Sequence, residues 1–288
     1  MESVERTAAP AVPAAPGAAR LLTRRIREMF RVYPKALVGD VDAVHALRVA
    51  ARRLRMALVL LTDKPDGRRV RRAQRTLRDL AAAAGRGRDL DVGLTILEAL
   101  PSGADEGDEK LRRALRASRS RARVLSREAL LDLDVARLRR DLRACAASTQ
   151  VDRELVAGRL AGLRQREEEI IDREILSTRR APHADALHRA RRSARRLRYA
   201  IEIWDLLEGI DSGDADRWRK MQSRLGEIQD LHVLGVWLEL RERRARARGD
   251  PALAAAASRA LARVKREAAR RIRGFTAAEK DATPDPPV

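Results

Sequence analysis

Two stretches of the chain carry the same spacing of groups able to bind or transfer phosphate. His45-Ala-Leu-Arg48-Val-Ala-Ala-Arg52-Arg53-Leu54-Arg55 recurs 143 residues on as His188-Arg-Ala-Arg191-Arg-Ser-Ala-Arg195-Arg196-Leu197-Arg198. The histidine of the shared pattern H-x-x-R-x-x-x-R-R-L-R could serve as a nucleophile or a general acid and base. Its arginines present planar forks of donors that match the paired oxygens of a phosphate. A second element follows each copy: Gly85-Arg-Gly-Arg88-Asp89-Leu90 is answered 141 residues later by Gly226-Glu-Ile-Gln229-Asp230-Leu231.

Catalysis needs more than these residues supply. The sequence has no P-loop, no pair of carboxylates at metal-ligand spacing beside either histidine, and no glycine-rich phosphate cradle. Only four histidines occur in all, and those of the motifs are ringed by arginines that repel a cation. The expectation is a binding protein rather than an enzyme, with no catalytic residue, no cofactor and no metal ligand.

The elements that hold the motifs are amphipathic helices. At one residue per 100°, His45, Arg48, Arg52 and Arg55 share an arc of about 80°. Leu47, Leu54, Leu58 and Leu61 fall on the opposite side. The second copy places His188, Arg191, Arg195 and Arg198 on one arc, with Leu197, Ile201 and Trp204 behind them and Tyr199 beside the basic stripe.

A polar helix face is ordinarily just solvated, but such faces mix signs. Neither eleven-residue motif contains an acid, although 42 of 288 residues are Asp or Glu. Like charges stacked at i, i+3 and i+4 cost stability, and a bound anion offsets that cost. Ten residues of helix cover about 15 Å, which suits a linear polyanion better than one small phosphate.

The whole chain is consistent with this. There are 62 Lys and Arg against 42 Asp and Glu, a net charge of +20, and all but six of the basic residues are arginine. Only seven residues are aromatic, too few for the stacking platforms that hold single-stranded nucleic acid. Nucleic acid is therefore expected to bind only nonspecifically. One cysteine, Cys145, excludes an intrachain disulfide and reads as packing. No apolar run reaches the roughly 20 residues of a membrane span, so a cytoplasmic protein is expected.

An all-α fold follows from helical composition and the absence of strand alternation. Helices are predicted near 19–33, 41–62, 68–84, 89–100, 108–128, 134–148, 152–177, 184–207, 214–225 and 230–275, the last broken at Gly249-Asp250-Pro251. Residues 1–18 and 276–288 read as flexible tails. The repeated motifs divide the rest into two similar helical bundles, about 19–148 and 152–275, related by a pseudo-two-fold axis. Gly85 and Gly226 read as helix ends and Asp89 and Asp230 as N-caps of the following helix, closing tight hairpins; a lesser role for the aspartates is to orient the arginines.

The paired H-x-x-R-x-x-x-R-R-L-R elements, with RDLDV at 88–92 and LGEIQDLHV at 225–233, resemble the conserved histidine α-helical domain (CHAD) family over about residues 19–275. The resemblance implies an all-α duplication of helical bundles with a basic groove or pore at their junction. It also implies binding of inorganic polyphosphate and association with polyphosphate granules. By position, the implied binding residues are His45, Arg48, Arg52, Arg53 and Arg55, then His188, Arg191, Arg195, Arg196, Arg198 and Tyr199, with Arg88 and Lys220 as weaker additions. Arg53 and Arg196 lie off the main arc and are expected at its border or bridging to acids. Arg195 stands where the family's second copy commonly has lysine, and Glu227 and Gln229 replace Arg86 and Arg88, leaving the second half locally less basic. The triphosphate-tunnel domain of some members, marked by an E-x-E-x-K strand, has no counterpart in residues 1–18, so its catalysis is not carried over.

Overall fold

A computed structural model describes residues 17–100, 105–180 and 184–282. Among them are ten helices: α1 (Ala18–Leu37), α2 (Val41–Leu61), α3 (Arg68–Ala83), α4 (Arg86–Ala99), α5 (Glu106–Leu131), α6 (Val135–Ala147), α7 (Arg153–Arg180), α8 (Ala184–Glu208), α9 (Asp214–Ala247) and α10 (Pro251–Ala282). The described residues include no strand, and no described helix is long and apolar enough to cross a membrane.

Helix ends follow local chemistry. The Asp40 carboxylate accepts from the Ala43 amide at 2.7 Å and starts α2, and Asp105 and Asp134 cap α5 and α6 in the same way. The break at Gly249-Asp250-Pro251 is real. Gly249 adopts φ +68°, which a side chain would strain, Asp250 accepts from Leu253, and Pro251 opens α10 with the one residue that has no amide to satisfy.

The packing order repeats along the chain. Helix α1 packs on α2 as α7 packs on α8, α2 packs on α3 as α8 packs on α9, and α4 packs on α5 as α9 packs on α10. The long α9 thus occupies the place of α3 and α4 together, while α6 lies against α1 and α3. Leu47, Leu54, Leu58 and Leu61 are fully buried, as are Leu197 and the alanines beside it, and each such leucine contributes about 1.5–3 kcal/mol of burial. Cys145 is buried in the same core.

There are two cores. The larger joins α1, α2, α3, α6, α7 and α8 with the first half of α9, Leu130 at the end of α5 and Phe275 of α10, and the smaller joins α4, α5, the second half of α9 and the first part of α10. Each takes helices from both halves of the chain.

Three expectations are corrected. The Gly226 segment is no hairpin: α9 runs through it without a break, and Asp230 lies inside the helix. Gly85 separates α3 from α4 by two residues but keeps helical dihedrals, and Asp89 sits in the first turn of α4 rather than at its cap. Residues 276–282 are helical rather than a tail, because Phe275 is buried in the larger core and Glu279 pairs with Arg224. Residues 1–16 and 283–288 lie outside the described part.

Candidate functional site

Helices α2 and α8 meet and bring their basic faces together. Arg48 and Arg52 from α2 lie close enough to Arg191 and Arg195 from α8 for each side's charge to act on the other. Beyond Arg52 and Arg195 opens a cavity of about 250 Å³ walled by Arg55, Arg192 and Arg196, with Gln74 of α3 and Val59 on its other side.

This cluster is short of counter-charge. Arg52 and Arg195 are partly desolvated, and burial together with neighbouring guanidinia pushes Arg52 down to about 10 and Arg195 down to about 9. Arg52 and Arg48 are the largest repelling neighbours of Arg195 and Arg52 respectively. Arg191 and Arg55 are lowered too, again mainly by burial. The Nε atoms of Arg48 and Arg191 are buried without a hydrogen-bond partner. Buried donors of this kind ordinarily find an acceptor, so the arrangement is incomplete without one.

The second sequence element supports the first. The Arg48 guanidinium carbon lies 3.3 Å from where a Cβ on Gly85 would stand, and an Arg191 terminal nitrogen lies 3.2 Å from the corresponding point at Gly226. Both glycines clear space for an arginine. Arg48 reaches Asp89 at 3.4 Å, and Asp230 faces Arg191; burial pushes the Asp230 carboxyl up while Arg191 opposes the shift. Asp89 thus contacts its arginine, whereas Asp230 acts on Arg191 through charge alone.

The histidines flank the cluster. His45 is exposed and His188 half-buried. Both are held below the usual imidazole range: His45 by desolvation and then Arg88, Arg48 and Arg52, and His188 by desolvation and Arg192, Arg191 and Arg195, against a hydrogen bond between its Nδ1 and Gln229 at 2.9 Å. Arg88 therefore belongs beside His45, where Gln229 stands beside His188. Glu227 turns away to an ion pair with Arg271 on α10.

Other expected residues are engaged otherwise. Arg53 and Arg198 both pair with Glu202, at 3.0 Å each, and both lie over the ring of Tyr199. Arg196 pairs with Glu167 on α7 at 2.6 Å. Tyr199, expected as a contact residue, lines the same cavity; it is only 4% exposed, and two guanidinia rest on its ring. Lys220 is exposed on α9, and no contact brings it to the cluster. Arg192 was missed: it walls the cavity, and its place about 40° from His188 on the helix wheel was the available signal. Among the described residues, no three His, Cys, Asp or Glu side chains gather as a metal site.

A family model for the CHAD domain matches residues 20–239. No curated protein matches the chain. Among solved structures it is similar to the CHAD domain from the plant Ricinus communis, with 22% identity, a TM-score of 0.62, and 99% of this chain and 93% of that one covered. It is also similar to PptA from Streptomyces chartreusis, with 19% identity, a TM-score of 0.70, and 92% and 98% covered.

Proposed function

Because the chain belongs to the CHAD domain family, we propose that it binds inorganic polyphosphate along the joined His/Arg faces of α2 and α8, and that this binding addresses it to polyphosphate granules. The carrying observation is the under-neutralised cluster of Arg48, Arg52, Arg191 and Arg195, with its two orphaned Nε donors. Phosphate oxygens supply the missing acceptors, and each charge-assisted hydrogen bond contributes about 1.5–3 kcal/mol before ordering costs. Four arginines from two helices give a repeating ligand several such contacts at once.

The function is binding without turnover. Among the described residues neither histidine has a carboxylate hydrogen bond to polarise it; His188 has the neutral amide of Gln229. Nonspecific nucleic-acid binding is the rival reading. A cavity of about 250 Å³ favours a bare phosphoanhydride chain over a nucleic acid, which carries a sugar and a base on each phosphate, and Tyr199 lines it with too little exposed ring to hold a base.

A competition titration at ~150 mM salt, with long-chain polyphosphate against duplex DNA and RNA of matched phosphate content, tests the reading. Polyphosphate is expected to win by more than its charge density accounts for. Equal binding of all three would leave a general polyanion sink instead.

A further inference from the structure

A larger cleft adjoins the cavity beside Arg52 and Arg195. It has a volume of about 580 Å³ and lies between α3 and α7, and Val59 and Gln74 wall both spaces. Gln74 is the partition: its amide accepts from Arg55 Nε at 3.5 Å and donates to the Arg55 carbonyl at 3.4 Å.

The cleft is basic for reasons the fold does not need. Four arginines line it against one carboxylate, Asp66. Arg159 has a structural task, donating to the carbonyls of Leu60, Thr62 and Asp63 where α2 ends. Arg71, Arg75 and Arg166 have none of that kind. Their neighbours Arg72 and Arg164 are tied to Asp141 and to Glu168 and Asp214, but no ion pair engages these three among the described residues.

The floor of the cleft is also kept open. Gly158 and Gly162 stand one turn apart on α7 and both line it. Glycine is a poor helix former and is tolerated inside a helix where something must come close. At Gly158 no protein atom does, since a Cβ there would meet nothing within 4 Å, whereas at Gly162 an Arg166 terminal nitrogen lies 3.4 Å from where a Cβ would stand.

We propose that the α3–α7 cleft is a second anion subsite, continuous past Gln74 with the α2–α8 cluster, that takes the further phosphates of a long polyphosphate chain and so makes the protein discriminate by chain length. The inference rests on polyphosphate binding at α2–α8.

The test compares tripolyphosphate with long-chain polyphosphate on the full chain by titration calorimetry at several salt concentrations. Three variants are measured beside the wild type: Arg71→Ala/Arg75→Ala/Arg166→Ala, which removes exposed charges, Gly158→Leu, which fills the cleft with a better helix former, and Arg52→Glu/Arg195→Glu. The triple variant is expected to weaken long-chain binding at least about tenfold and to lower its salt slope by roughly two to three, with tripolyphosphate unchanged. Gly158→Leu is expected to weaken the long chain alone, with no loss of helicity by circular dichroism. Unchanged long-chain affinity, an equal loss for both ligands, or a loss in the triple variant without one in Gly158→Leu overturns the subsite. Loss of both ligands in Arg52→Glu/Arg195→Glu upholds the α2–α8 reading whatever the cleft does, and retention of both removes that reading and the subsite with it.

Discussion

Arg52 on α2 and Arg195 on α8, 143 residues apart in sequence, press two guanidinia against one cavity, and Arg52 is the strongest of the charges that repel Arg195. No carboxylate pairs with either among the described residues, although ion pairs engage Arg53, Arg196 and Arg198 a residue or three away. The free protein thus holds like charges together in a partly dry place, at the expense of its own stability.

Neutralising that pair should separate stability from binding. Arg52→Met/Arg195→Met is expected to melt higher than the wild type by a few degrees, about 1–2 kcal/mol, because apolar side chains of similar length replace repelling buried charges. The same variant is expected to lose polyphosphate binding. Thermal melts and titrations on one preparation check both, and a lower melting temperature would show that the arginines stabilise the fold.

The histidines set the pH dependence. Both are lowered from 6.5, so between the folded and unfolded values the unfolded chain binds more protons. Their contribution to stability is therefore complete above about 6.5 and is lost as pH falls through the folded values. Binding runs the other way: a bound polyanion favours the imidazolium, so long-chain affinity should rise from pH 7.5 to 5.5 with proton uptake. Calorimetry in two buffers of different ionisation enthalpy measures the uptake, and His45→Ala/His188→Ala should flatten it.

The two aspartates compete with the ligand for Arg48 and Arg191. Asp89→Asn/Asp230→Asn, measured by titration, is expected to tighten polyphosphate binding several-fold, since it removes the carboxylates that screen those guanidinia. Weaker binding would mean that the aspartates hold the arginines in the only competent pose.

Gly226 offers a change that should help the helix and harm the site. Leucine in the middle of α9 gains about 0.8 kcal/mol of helix propensity over glycine but takes the space of the Arg191 guanidinium. Gly226→Leu is expected to keep its helical circular dichroism and lose roughly tenfold in affinity, about 1.4 kcal/mol.

The arc of arginines was legible because helical period alone decides which side chains share a face, and buried Leu47, Leu54, Leu58 and Leu61 fix which face turns outward. The bounds of most helices were legible from caps and from Gly249-Asp250-Pro251. Gly226 misled because glycine both ends helices and lets another group come close, and only the position of Arg191 tells the two uses apart. For Tyr199 the helix wheel gave the place but not the neighbours. An angle on a wheel places it beside the basic stripe, but the crossing of α2 over α8 decides that Arg53 and Arg198 cover it. The α3–α7 cleft was invisible because its arginines come from positions about 90 residues apart and share no motif.

Phe275 lies in the core that α1 begins. The larger core runs in sequence from Ala18 to Phe275, so its closure brings together residues from opposite ends of the described fold, and contacts of such separation form slowly. Until those segments meet, Arg53 stands without Glu202, the acid that faces it from α8. Closure of the larger core is a late event in folding, and a chain that stops before α8 would leave a sticky, basic, unfinished bundle.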